Sequence, residues 1–125
     1  MKRAALLSML VCLLVSPVRA AEPIEGTASW YGPGPGVASQ FCTWTLRHAG
    51  GCGWARITSL QTGITIVSPV VDWCQCYRGT AQERIVDLQY GPLKALGLDP
   101  AQGLYPVSVE WLRASGTLLP NTATR

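Results

Sequence analysis

The alternation of apolar and polar residues predicts short strands and one short helix. Strand-like segments, rich in β-branched and aromatic residues and bounded by glycine or polar turns, are predicted at 27–31, 54–60, 64–72, 84–88 and 104–111. Pro92 suits the first turn of a helix and Gly97 suits its end, so a helix is predicted at 91–97. This pattern is typical of a small all-β barrel.

The segments between these elements are predicted to be loops. The Gly-Pro-Gly-Pro-Gly run at 32–36 is incompatible with a helix or a central strand. Residues 37–53 have no clear period, and residues 73–83 are mostly polar around two cysteines. Residues 113–125 are polar and weakly patterned, which predicts a flexible C-terminal tail.

The first twenty residues have the features of a secretory signal. Lys2 and Arg3 precede an almost unbroken apolar run at 4–15, and small or β-branched residues precede a cleavage point after Ala20. We expect residues 1–20 to be removed and residues 21–112 to form the barrel domain. An uncleaved membrane anchor is the alternative; after cleavage no stable membrane association is expected.

Charge gives no indication of a nucleic-acid partner. Of ten basic residues, Lys2, Arg3 and Arg19 lie in the predicted signal. The remainder therefore has seven basic and seven acidic residues and a formal net charge of zero. A domain without net charge lacks the excess of positive charge that attracts nucleic acids or anionic membranes.

Four cysteines remain after the signal, and an even number in a small exported domain predicts two disulfides. Cys42, Cys52, Cys74 and Cys76 lack the paired spacing of zinc ligands, so no metal site is expected. A direct 74–76 bridge would close a very tight ring. We therefore expect Cys42 and Cys52 each to join one of Cys74 and Cys76, with a local 42–52 bridge as the alternative.

Five segments in order resemble the RlpA-like (rare lipoprotein A) double-psi β-barrel proteins, which are related to expansins and barwin-type proteins. The segments are Gly-Thr-Ala-Ser-Trp-Tyr-Gly at 26–32, Ile-Thr-Ser-Leu-Gln-Thr-Gly at 57–63, Val-Val-Asp at 70–72, Ile-Val-Asp-Leu at 85–88 and Tyr-Pro-Val-Ser-Val-Glu-Trp at 105–111. The resemblance covers roughly residues 25–112. It implies an all-β fold: a six-stranded double-psi β-barrel with one short helix, here braced by disulfides.

The sequence departs from the family pattern at three points. Trp-Cys-Gln-Cys at 73–76 replaces the usual Arg-Gly-Pro, and Gln89 replaces the usual serine. The usual Ala-Ala-His segment has only a loose counterpart in Leu-Arg-His at 46–48. These departures indicate a cysteine-bearing subgroup.

The resemblance implies a lytic transglycosylase that cleaves peptidoglycan without water and leaves 1,6-anhydro sugars. One carboxyl can serve such a reaction first as acid and then as base. Asp87, between two apolar residues, is the expected acid/base, and Asp72 is expected to position the substrate or tune Asp87. Both could instead be structural residues that bond backbone amides at strand ends. No cofactor is expected.

The expected glycan-binding residues are mostly aromatic, because flat rings can stack on the C–H faces of sugars. They are Ser29, Tyr31, His48, Trp73 and Tyr77. The alternative for the aromatic residues is packing in the core, and a lone histidine in a loop is more often simply exposed.

Two further functions compete with the enzyme. One is a non-catalytic, expansin-like module that binds or loosens wall polysaccharide, and the other is a secreted inhibitor or toxin built on the barrel. For either wall-acting function we expect a monomer in the cell envelope or outside the cell, with peptidoglycan or a related polysaccharide as its partner.

Overall fold

A computed structural model describes residues 22–43, 45–46 and 51–112. The predicted signal at 1–20, the predicted tail at 113–125 and His48 lie outside the described residues, so those predictions stand untested. In the part of the chain that the structure describes, no helix is long and apolar enough to cross a membrane.

The predicted six-stranded barrel with one short helix is confirmed. The strands are β1 (Ile24–Gly32), β2 (Val37–Ser39), β3 (Trp54–Ser59), β4 (Thr65–Trp73), β5 (Val86–Gln89) and β6 (Tyr105–Leu112). Helix α1 (Tyr90–Ala95) follows β5, and a single 3-10 turn (Pro100–Gln102) precedes β6. Only β2 lay in a segment predicted to be a loop.

The strands close on themselves in the order β1-β5-β2-β4-β3-β6. Two neighbouring pairs, β1 with β5 and β2 with β4, are parallel, and the other four pairs are antiparallel. Because the barrel is closed, every strand has two partners and the sheet has no free edge.

Alternating side chains fill the barrel interior. On β5, Val86 and Leu88 are fully buried while the residues beside them are half-buried. On β6, Tyr105, Val107 and Val109 are likewise fully buried at every second position. Leu93 and Leu96, in and just after α1, join the same core. This period of two directs the other set of side chains on each strand to the barrel surface.

The disulfide pairing differs from the prediction. Cys42 bonds to Cys52 and Cys74 bonds to Cys76, with Cα–Cα distances of 5.4 and 5.1 Å. Cross-pairing was therefore wrong, and the local 42–52 alternative is the one observed. Cys76 closes this tight ring in a left-handed conformation, with φ 51°, and Tyr77, directly after the ring, also has a left-handed φ of 52°.

The glycine-rich loop between β1 and β2 packs against the end of β5. The Gln89 side-chain oxygen accepts a hydrogen bond from the Gly36 amide at 2.7 Å, and the Gly91 amide donates to the Gly34 carbonyl at 2.9 Å. Gln89, which replaces the family's serine, thus fixes this loop.

We expect Gly34→Ala to lower the free energy of unfolding by about 1–3 kcal/mol. Gly34 has φ +136°, and an added Cβ would overlap the Gln89 side-chain amide. Gly32→Ala is the matched control, because its Cβ would meet nothing within 4 Å. Urea unfolding of both variants measures the difference, and equal stability would contradict the constraint at Gly34.

Candidate functional site

The predicted polar residues lie in one row across four neighbouring strands. Ser29 on β1 is opposite Asp87 on β5, Asp87 is opposite Ala38 on β2, and Ala38 is opposite Asp72 on β4. Directly opposed residues share a face of a sheet. Asp87 and Asp72 are thus separated by one strand, or roughly 10 Å between Cα atoms.

An irregularity in β4 puts Asp72 in this row. Val37 is opposite Val70, whereas the next residue, Ala38, is opposite Asp72, so β4 has one extra residue. In a regular strand the side chain of Asp72, two residues after Val70, would point to the barrel interior as Val70 does. The extra residue reverses this alternation, so Asp72 lies on the face opposite to that of Val70. The Asp72 carboxylate also accepts a hydrogen bond from the Trp73 amide at 2.9 Å.

Ser29 and Asp87 form the polar centre of the site. The Ser29 hydroxyl donates to the Asp87 carboxylate at 3.0 Å. Burial raises the pKa of Asp87 above its ordinary value, while the Ser29 hydrogen bond and the charge of Arg84 act in the opposite direction. The cause is burial and not repulsion from Asp72, because β2 lies between the two carboxyls.

We expect Asp87→Asn to be more stable than the wild type at pH 7. The pKa of Asp87 is higher in the folded chain than in the unfolded chain. Between these two pKa values the folded chain binds more protons than the unfolded chain. The free energy of unfolding therefore falls as the pH rises through that range. The asparagine side chain of the variant would carry no charge to desolvate. The advantage should vanish near pH 3, where the wild-type carboxyl is mostly protonated (ordinary pKa about 3.9). Urea unfolding at both pH values checks this, and a gain that persists at pH 3 would contradict it.

The loop after β4 brings two further residues to the site. The Arg84 guanidinium lies 5.4 Å from the centre of the Tyr77 ring, a distance typical of a cation–π contact. The Arg84 amide donates to the Cys76 carbonyl at 2.8 Å, and its own carbonyl accepts from the Gln40 side chain at 3.1 Å. Arg84 therefore links the loop to the residues that follow β2.

Three of the predicted aromatic residues are exposed beside the polar row. Tyr31 lies two residues after Ser29 on β1, at an irregularity in the register between Trp30 and Gly32, and 42% of its surface is exposed. Trp73 is 52% exposed, and its ring nitrogen donates to the Gln40 carbonyl at 3.1 Å. Tyr77 is 57% exposed. Trp73 and Tyr77 present more than half of their surface to solvent, whereas Trp30 and Trp111 pack against the core as expected of strand residues.

The structure thus brings Ser29, Asp87 and Asp72 into one row. Trp73 directly follows Asp72 and contacts Gln40, Tyr77 contacts Arg84, and Tyr31 follows Ser29 on β1. Sequence reasoning missed Arg84 and Ala38. Arg84 is three residues before Asp87 and carried a detectable signal, a basic residue two positions before the start of β5. Ala38 carried none, because it lies in a three-residue strand without alternation.

Among the residues that the structure describes, no three acidic or cysteine side chains form a group that could hold a metal ion. All four described cysteines are bonded in pairs. The groups that the site offers are carboxyls, a hydroxyl and aromatic rings.

Comparisons with known proteins agree with this architecture. No family model matches the sequence. Two crystal structures of the Clavibacter michiganensis expansin are similar to the chain: a mutant in complex with cellohexaose, at TM-score 0.51 and 22% identity, and the apo protein, at TM-score 0.50 and 21% identity. Each match covers 73% of this chain and 50% of the expansin chain.

One curated relative matches a shorter segment. The ripening-related protein 6 of Oryza sativa subsp. japonica is 43% identical over 53 residues, which is 42% of this chain and 32% of that protein. The chain therefore spans half of the expansin and about a third of the rice protein. The fold is that of the double-psi β-barrels of expansin and RlpA-like proteins, as the sequence resemblance implied.

Proposed function

We propose that the chain is an exported, expansin-like module that binds a wall polysaccharide without cleaving it. The observation that carries this proposal is the row of Ser29, Asp87 and Asp72, bordered by the exposed rings of Tyr31 and Trp73. Carboxylates accept hydrogen bonds from sugar hydroxyls, and exposed rings offer flat apolar faces to the C–H faces of sugars.

The spacing of the two carboxyls suits a chain of sugars better than a single ring. Asp72 is two strands from Asp87 in the closed order, so their Cα atoms are roughly 10 Å apart along the curved surface of the barrel. A ligand that meets both carboxyls must therefore be longer than one sugar ring. Ala38, between them, is buried and adds no side-chain bulk.

The comparisons support a neutral glycan as the first ligand to test. The expansin of similar fold was crystallised with cellohexaose. By the same fold, this chain would bind a β-linked wall glycan, either cellulose-like or the glycan strand of peptidoglycan. The two disulfides fit an oxidising location outside the cytoplasm, in the wall or periplasm.

Sedimentation with insoluble polysaccharide tests the proposal. The oxidised chain is mixed with cellulose or with purified peptidoglycan sacculi, and isothermal titration follows cellohexaose and soluble glycan strands. We expect saturable binding to at least one of them and no soluble sugar products. A folded chain that binds none of them would contradict the proposal and favour the inhibitor or toxin function.

One observation favours lytic transglycosylase activity as a second candidate. Asp87 is half-buried, and burial raises its pKa against the opposing effects of Ser29 and Arg84, which suits a carboxyl that donates a proton. Protonation of the glycosidic oxygen by Asp87, followed by proton removal from the C6 hydroxyl, would leave a 1,6-anhydro sugar.

Mass spectrometry of digested sacculi separates the two candidates. Under the binding proposal, neither the wild type nor Asp87→Asn releases 1,6-anhydro products. Release by the wild type that is lost in Asp87→Asn would establish the enzyme instead. The comparison needs both proteins folded, and circular dichroism checks this.

A further inference from the structure

The two disulfides occupy different environments. Cys42 and Cys52 are both buried, and both belong to the hydrophobic core. Cys76 is buried as well, but its partner Cys74 is half-exposed, on the loop after β4. Of the four described cysteines, Cys74 is therefore the one that is partly open to solvent, whereas both residues of the other bridge are buried.

The backbone beside the exposed bridge is held in an unfavourable conformation. Cys76 and Tyr77 are consecutive and both have left-handed φ values, 51° and 52°, although neither is glycine. Side chains with a Cβ seldom adopt this conformation, and such residues persist only where their surroundings hold them. The ring closed by residues 74–76 contains the φ bond of Cys76 and is one such constraint there, so we expect its reduction to let Cys76 relax.

The same segment holds two of the exposed aromatic rings of the site. Trp73 directly precedes Cys74, and Tyr77 directly follows Cys76. The Cys74 amide donates to the Ser39 carbonyl at 3.1 Å, which ties the bridge to the end of β2. A change in the backbone at 74–77 would therefore displace the rings on both sides of it.

We propose that the Cys74–Cys76 disulfide is a redox modification site: an external dithiol reduces it while Cys42–Cys52 stays oxidised, and reduction lowers the affinity for glycan. The expected loss of glycan affinity rests on the proposed function. The selective reduction stands on the exposure of the bridge and on the backbone beside it.

The reaction is ordinary thiol–disulfide exchange. A thiolate of the dithiol attacks the Cys74 sulfur, the 74–76 bond breaks, and the Cys76 thiolate leaves and takes up a proton. The second thiol of the reagent then attacks its own sulfur in the mixed disulfide and releases the Cys74 thiolate, which is protonated. The protein gains two electrons and two protons, and the dithiol becomes a disulfide.

The fold is expected to survive this reaction. In the chain-entropy model a bridge stabilises a protein less when the loop that it closes is shorter. The Cys74–Cys76 bridge has a sequence separation of 2, against 10 for Cys42–Cys52. Its loss therefore frees a local loop and leaves the core bridge in place.

Titration with dithiothreitol under native conditions tests the selectivity. Samples are alkylated with iodoacetamide at each concentration, and the labelled cysteines are identified by peptide mass spectrometry. We expect Cys74 and Cys76 to be labelled at a dithiol concentration at least tenfold lower than Cys42 and Cys52. Labelling of all four together, or of Cys42 and Cys52 first, overturns the inference.

Two further measurements follow the proteolysis of the loop after β4 and the affinity for glycan. Arg78 is exposed in this loop, so trypsin should cleave after it at least threefold faster once the bridge is reduced. Affinity for cellohexaose or for soluble glycan strands should fall about tenfold. The variant Cys74→Ala/Cys76→Ala should show both changes without any dithiol and respond no further to it.

The outcomes separate this inference from the proposed function. Unchanged cleavage at Arg78 after complete reduction overturns the relaxation of the loop. Equal glycan affinity in the oxidised and reduced forms overturns the coupling. If the oxidised chain binds no glycan but shows selective reduction and faster cleavage, the proposed function fails and the redox site is upheld.

Discussion

The double variant Cys42→Ala/Cys52→Ala should lose about 3 kcal/mol of unfolding free energy. The bridge closes a loop with a sequence separation of 10. In the chain-entropy model a loop of this size contributes about 3 kcal/mol, and loss of a native disulfide from a small secreted domain costs about 2–5 kcal/mol. Cys42 is fully buried, so the missing sulfur also leaves a small void in the core.

The variant Cys74→Ala/Cys76→Ala is the matched control. Its bridge has a sequence separation of 2, so the same model gives a loss below about 2 kcal/mol. Urea unfolding of both variants and the oxidised wild type gives the three free energies. A larger loss in the 74–76 variant would mean that the loop after β4, and not the core bridge, dominates the stability of the barrel.

Strand positions were largely predictable because the barrel fills its interior at every second residue. Tyr105, Val107 and Val109 alternate in the sequence and are all fully buried in β6. Strand β2 could not be found in this way. It has three residues, Val37–Ser39, all buried, and a run this short has no period to detect.

The disulfide pairing was mispredicted because a ring with one residue between its cysteines is disfavoured in extended or helical chain. In the structure Cys76 closes the ring with a left-handed φ of 51°. Cys76 is not glycine, so nothing in the sequence signals a positive φ there.

The candidate site was predictable in its residue types but not in its geometry. Asp87 was identified from its apolar neighbours and from the family resemblance, and its burial agrees with that reasoning. From alternation alone, the side chain of Asp72 would be expected to point to the barrel interior, as that of Val70 does. The extra residue in β4 places it opposite Ala38 instead, and irregular register of this kind depends on the partner strand.

Trp73→Ala should weaken glycan binding by roughly 30-fold, which corresponds to about 2 kcal/mol, the lower bound for a binding hot spot. The Trp73 ring is 52% exposed and is held in place by the hydrogen bond from its ring nitrogen to the Gln40 carbonyl. A ring fixed before binding loses little entropy when a sugar stacks on it. Titration with cellohexaose or soluble glycan strands measures the loss.

Trp54→Ala is the matched control for this experiment. Trp54 is 42% exposed on β3, which is three strand positions from β5 in the closed order and therefore on the opposite side of the barrel from Asp87. Its removal should change affinity less than about twofold, an effect below about 0.5 kcal/mol. Trp73→Phe keeps a flat ring but loses the bond to Gln40, so its affinity should lie between those of the wild type and Trp73→Ala. Equal losses in the Trp73→Ala and Trp54→Ala variants would mean that the glycan does not bind along the row of Ser29, Asp87 and Asp72.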